Sequence, residues 1–179
     1  MDDVTISQEK KGLNINFKKI MGRYGIYFIL LFMIVAISLV KPVFLSQKNL
    51  LNVVRQVSVI GLISLGVTLA IISKGIDLSS GSVLAFAGVI AASMAQNAGW
   101  AQKMYPNMGA LPVIVPIAVA LLVGSLCGLV NGTLIATTGI PPFIATLGMM
   151  VAARGAALLY TDGRPVSSLT PSYQFIGQG

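Results

Sequence analysis

The chain has 179 residues, of which 55% are hydrophobic and only 9% charged, with no histidine and a single cysteine, Cys127. That composition, with a mean hydropathy of +0.86, excludes a soluble globular domain and leaves room for roughly four to six membrane crossings of about 20 residues each. The missing histidine excludes Ser-His dyads and His-based metal sites, and one cysteine gives neither a disulfide framework nor a metal cluster. The net charge of +7 is strung along the ends of apolar runs, which suits membrane anchoring and not nucleic acid.

Residues 1–23 read as a cytoplasmic leader. Lys10, Lys11, Lys18, Lys19 and Arg23 all precede the first apolar run, so the positive-inside bias puts the N-terminus in the cytoplasm. Leu13, Phe17, Ile20, Met21 and Tyr24 recur at helical spacing with lysines between them, which suits a short interfacial helix as well as a loose basic tail. Asp2, Asp3 and Glu9, with no small-residue cleavage pattern before Lys41-Pro42, mark the apolar run as a retained span, not a secretory signal.

The membrane domain, 24–179, opens with a span over 24–40, stopped by Lys41-Pro42 because proline lacks the amide proton and disfavours helix just before it. Ser46 offers an N-cap for a second span that ends near Ser73. The third is expected over about 82–98, followed by a loop in which Trp100 and Tyr105 are placed like interfacial belt residues. The charge-free stretch 104–153 is too long for one crossing and is split at Gly139-Ile140-Pro141-Pro142. A fourth span covers about 111–136, and a fifth helix starts at the double proline and continues towards Tyr160. A turn-rich loop follows at Thr161-Asp162-Gly163-Arg164-Pro165. The expected fold is an all-α polytopic transmembrane helical bundle of about five membrane helices, with breaks near 74–81 and 139–142.

Those two breaks are the most informative places in the chain. Asp77 is the only acidic residue between Glu9 and Asp162, and it sits in a glycine-punctuated decapeptide between two spans. Backbone that is interrupted at membrane depth persists where it is buried in protein or lines a wet cavity, as in transporters; the plain alternative is a tight turn at the surface. Asp77, Ser79 and Ser80 can cap the third helix, Asp77 can bond solute hydroxyls, or it can change protonation during a cycle. A Lys74–Asp77 ion pair at three-residue spacing is a further option, although Gly75 interrupts the helix it needs. Pro141, Pro142, Phe143 and Thr146 form the second break. Gly124, Gly128 and Gly132 recur at four-residue steps and predict close helix packing. Asn131 beside them either ties two helices or binds a hydroxyl-rich solute. Arg154 either snorkels to the outer interface or meets a partner carboxylate, and Met149 and Met150 are packing residues.

The ordered motifs Gly75-Ile76-Asp77-Leu78-Ser79 with Gly81-Ser82-Val83, Asn131-Gly132, Ile140-Pro141-Pro142-Phe143-Ile144-Ala145-Thr146-Leu147-Gly148, Arg154-Gly155 and Thr161-Asp162-Gly163-Arg164-Pro165-Val166 resemble the permease subunits of bacterial ABC importers for monosaccharides. Ribose and galactose or methyl-galactoside permeases are the members most alike, and the likeness runs from about Phe44 onward. The resemblance implies a multi-pass subunit of the bacterial inner (cytoplasmic) membrane that forms a sugar pathway with a second permease copy. Two cytoplasmic ATPase subunits and an extracytoplasmic sugar-binding protein would be its partners, with no cofactor and no metal of its own. The chain contains no Gly-Lys dipeptide and hence no phosphate-cradling P-loop, so it is not expected to be an enzyme. The alternative is a stand-alone secondary carrier or channel for a small polar solute; an intramembrane protease has little support without histidine or a second matched carboxylate. Two departures stand out. Family permeases are roughly twice this length, which implies a fragment or truncated product lacking the ATPase-coupling loop, and Lys74 replaces the small residue usual before Gly-Ile-Asp.

Overall fold

The computed structural model describes residues 17–178, which form six α-helices and one short 3-10 turn with no strand longer than an isolated bridge. The helices are α1 (Phe17–Val40), α2 (Gln47–Ile72), α3 (Ser80–Met94), α4 (Ile114–Thr138), α5 (Pro142–Thr161) and α6 (Pro171–Gln178). The all-α polytopic fold is therefore the one expected. The chain divides into two compact units, one ending at Val54 and one starting at Arg55.

In the first unit α1 runs without interruption from Phe17, so residues 17–23 continue the helix of the first span and form no separate surface helix. Lys10, Lys11 and Leu13 lie outside the described residues. The helix stops at Lys41-Pro42, where the 3-10 turn Pro42–Leu45 begins. Ser46 then caps α2 as its side chain predicts, its hydroxyl accepting the Asn49 amide at 3.4 Å, while Asn49 Nδ2 donates back to the Phe44 carbonyl at 2.7 Å.

In the second unit α3 packs on both α4 and α5, which also pack on each other. The side chains buried along α3 are small, Ala87, Ala91 and Ser93. Small side chains let helix backbones approach where lipid supplies no hydrophobic drive. Among the described residues four helices are long and apolar enough to cross a membrane, whereas α3 has 15 residues, about 22 Å at 1.5 Å per residue against a hydrocarbon core of about 30 Å. The third span was expected to reach Ala98, and it ends four residues earlier because the chain there is drawn into a bridge between loops. Asn97 donates its amide to Ser168 and Thr170 donates to Ala95, both at 2.8 Å. The Gln96 side chain donates to Ser167 at 2.9 Å and accepts the Met104 amide at 2.8 Å.

Near this bridge three hydroxyls join α3, α5 and the α3–α4 loop. Tyr160 bonds Ser93 at 2.8 Å and Tyr105 at 2.5 Å. The hydrogen bond to Tyr160, helped by partial burial, raises the Tyr105 phenol above its ordinary value. With Ser93 beside Tyr160 at one end and Ile76 beside Thr146 at the other, α3 and α5 run parallel, and α4 runs opposite to both.

Candidate functional site: a broken-helix cavity

The site begins where α2 stops. Lys74 donates its amide to Ile71 at 2.9 Å and Gly75 donates to Ala70 at 2.8 Å, the paired bonds of a Schellman ending. That ending demands a left-handed residue, and Lys74 supplies it at φ 60° where glycine is the usual choice. Gly75 is fixed by close approach instead: a Cβ there would lie 3.3 Å from both the Ala70 carbonyl oxygen and Pro142 Cβ. The two breaks thus touch, with the start of α5 laid against the end of α2.

Beyond Gly75 the chain has no regular structure as far as Ser79, which already has helical dihedrals at φ -85° and ψ -19°. Asp77 Oδ1 accepts both the Ser79 amide, at 2.8 Å, and the Ser79 hydroxyl, at 2.7 Å. This is a local Asx-type turn. It corrects the capping expectation in detail, since Ser79 occupies the N-cap position of α3 and no side chain caps the first-turn amides. No ion pair with Lys74 forms; Lys74 is exposed and the carboxylate is turned to Ser79.

Two long-range bonds hold the break to the bundle. Asn131 on α4 donates Nδ2 to Ser79 Oγ at 3.2 Å, across 52 positions of sequence. Thr146 on α5 donates its hydroxyl to the Ile76 carbonyl at 3.0 Å and lies 2.8 Å from the Pro142 carbonyl. Asn131 is seven residues before the end of α4 and Thr146 four residues into α5, so the break lies about 6–10 Å inside the helix ends. A surface turn would lie level with those ends.

Around the break lies a cavity of about 450 Å³ lined by Gly75, Asp77, Ser79, Asn131, Pro142 and Thr146 among others. Gly124, Gly128 and Gly132 form one wall, and a Cβ on any of them would meet no atom within 4 Å. The close packing expected of this stripe is thus not made with any described helix of this chain; the glycines border open space. Asn131 is only 8% exposed, yet its Oδ1 has no donor.

The structure therefore brings together Asp77, Ser79, Asn131, Pro142 and Thr146. Pro141 stands at the N-cap of α5 with Pro142 opening the helix, and Phe143 is 49% exposed away from the cavity lining. Arg154 is exposed on α5, eight positions beyond Thr146, and pairs with no carboxylate among the described residues. Sequence reasoning missed the Gly75–Pro142 approach and the Gln96 bridge. The polar Gln96-Asn97 pair closing an apolar run was the available signal for the second.

The comparisons with known proteins agree with this architecture. Residues 49–176 match the family described as branched-chain amino acid transport system / permease component. The chain belongs to that family. Among relatives, the galactose/methyl galactoside import permease protein MglC of Escherichia coli is 37% identical over 158 residues, covering 87% of this chain and 47% of that protein. The ribose import permease protein RbsC of Haemophilus influenzae is 41% identical over 152 residues, 83% of this chain and 43% of that protein. RbsC of Bacillus subtilis is 36% identical over 167 residues, 92% and 48% respectively. The chain spans about half the length of the curated relatives it matches. No solved structure matches it. In this permease family the cavity belongs to a multi-pass membrane protein, and the matched stretch, 49–176, includes both breaks.

Proposed function

We propose that the chain is part of the permease subunit of an ATP-binding-cassette importer for a monosaccharide of the ribose or galactose type. The observation that carries this reading is identity of 36–41% to sugar import permeases over 83–92% of the chain. The polar break at membrane depth supports it, since a solute pathway is where interrupted helices are tolerated. A second permease copy would complete the pathway, cytoplasmic ATPase subunits would drive it, and an extracytoplasmic binding protein would deliver the sugar. With the N-terminus in the cytoplasm, as Lys10 to Arg23 favour, both breaks and the cavity face the inner side of the bacterial cytoplasmic membrane. Arg154 then lies in the outer part of α5, from which its long side chain reaches the interface.

The family description favours a second reading, import of branched-chain amino acids. Both are tested by reconstituting the complete permease with its ATPase and binding protein and measuring uptake of galactose, ribose and leucine. ATP-dependent uptake of a sugar is the expected result. Leucine uptake without sugar uptake would establish the second reading, and sugar movement without ATP or partners would establish a stand-alone carrier.

A further inference from the structure

Helices α3 and α5 are tied to each other at both ends. At the loop end Tyr160 on α5 bonds Ser93 on α3 and Tyr105 in the loop that follows α3. Beside them the loops after the two helices are joined: Asn97 donates its amide to Ser168, Thr170 donates to Ala95, and the buried Gln96 side chain donates to Ser167. At the break end Thr146 donates to the Ile76 carbonyl at 3.0 Å. From Thr146 to Tyr160 is about 21 Å along α5. One tie would let two helices pivot, whereas two ties so far apart fix both register and angle. Between them the buried apolar side chains of the pair are alanines, Ala87, Ala91 and Ala153, which let the backbones lie close. Parting the loop end breaks its bonds together, and a buried polar group left unmet, as Gln96 would be at Ser167, costs more than its bond contributes. Helix α4 packs on the pair too, but one side-chain bond alone ties it there among the described residues, Asn131 to Ser79 at 3.2 Å.

We infer that α3 and α5, with residues 95–97 and 167–170, move as one rigid body in the transport cycle, so that a displacement of these loops is delivered to the first break about 21 Å away. The inference rests on the importer reading and adds to it which elements travel together. The break belongs to this body through Ser79, the N-cap of α3, and through Ile76, bonded to α5. Its joint with α2 is Lys74, left-handed at φ 60°, and residues at the ends of elements are where changes of angle are absorbed.

The test uses the complete permease with its ATPase and binding protein, freed of other cysteines and carrying Gln96→Cys and Leu169→Cys. These positions face each other in an antiparallel bridge, where paired Cα atoms stand about 4.5–5.5 Å apart, within reach of a disulfide. Reduced, the variant has a loosened clamp and is expected to take up sugar about threefold or more slower than the unmodified protein; oxidised, it has a covalent clamp and should regain the unmodified rate. Oxidised uptake no faster than reduced would overturn the inference, whether both forms transport equally, neither transports, or the disulfide inhibits. A second protein carries Ile76→Cys alone, a thiol at an exposed position of the break. Tyr160→Phe, which frees both Ser93 and Tyr105, should change its maleimide rate about threefold or more, and Tyr105→Phe, which leaves Tyr160 on Ser93, should not. No change with Tyr160→Phe, or the same change with both, would overturn the inference as well. Failure of the importer reading shows separately, as absence of ATP-dependent sugar uptake by unmodified protein, while the thiol rates remain readable.

Discussion

Replacing Asn131 by leucine is expected to make the permease more stable and less active. Asn131 is buried on α4 at 8% exposure and makes one hydrogen bond, from Nδ2 to Ser79 Oγ at 3.2 Å, while Oδ1 goes unmet. An unsatisfied buried acceptor costs about 1–3 kcal/mol, and one side-chain bond between membrane helices returns only about 0.6 kcal/mol. Leucine has a similar volume, so little cavity is created and the main changes are removal of the penalty and loss of the weak bond. Ser79 keeps its own donation to Asp77. The balance is a gain of about 0.5–2 kcal/mol, read by equilibrium unfolding of the complete permease in mixed micelles. Sugar uptake at matched protein levels should fall as well, because the bond that ties the first break to α4 is gone. A variant destabilised by more than about 1 kcal/mol would refute the reasoning, because it would mean that Asn131 Oδ1 is satisfied in the assembled protein.

Lys74→Gly should stabilise by about 0.5–1 kcal/mol in the same unfolding measurement, since φ 60° is strained for lysine and open to glycine; a loss of stability would contradict the Schellman ending. Gly75→Val should cost about 1–3 kcal/mol, its branches being driven against Ala70 and Pro142; a neutral result would show that the two breaks do not touch. Asp77→Asn should lower uptake more than Asp162→Asn, because asparagine tolerates the left-handed backbone of Asp162 at φ 51°, whereas Asp77 loses its charge. Equal effects at matched membrane levels would reject this. Tyr160→Phe should lower the Tyr105 pKa towards about 10, followed by tyrosinate absorbance. Because the folded value is raised, the Tyr105 contribution to stability is complete below the unfolded pKa and is lost as pH rises through the folded one.

What the sequence made legible follows from the range of the interactions involved. The double proline opening α5, the Lys41-Pro42 stop and the Ser46 cap were readable because each acts within a few residues. The end of α3 was not: the polar Gln96-Asn97 pair closes the apolar run, but a polar pair alone does not say whether the helix ends or continues into the interface. It stops because Ala95, Gln96 and Asn97 pair with residues 167–170, about 70 positions away. Helix α6 was missed for a simpler reason, being only eight residues long, too short for a helical period to be read from the sequence. The glycine steps on α4 announced a groove, but nothing in such a stripe states what lies across it, and no described part of this chain comes within 4 Å of a Cβ built there.

The accounting of backbone groups at the first break separates structural from available chemistry. The amides of Lys74 and Gly75 are met by the last turn of α2, the Ser79 amide by Asp77, and the Ile76 carbonyl by Thr146. An interruption inside a membrane is tolerable only when such groups are met by protein. The ones named here are met without solvent. Asp77 therefore serves the fold through one oxygen, which fixes Ser79 at the N-cap position of α3. Asn131 serves the fold through one end only, its Nδ2 tying the break to α4 through Ser79. Its Oδ1 is buried without a donor among the described residues, so that half of the carboxamide is a net cost to the described fold.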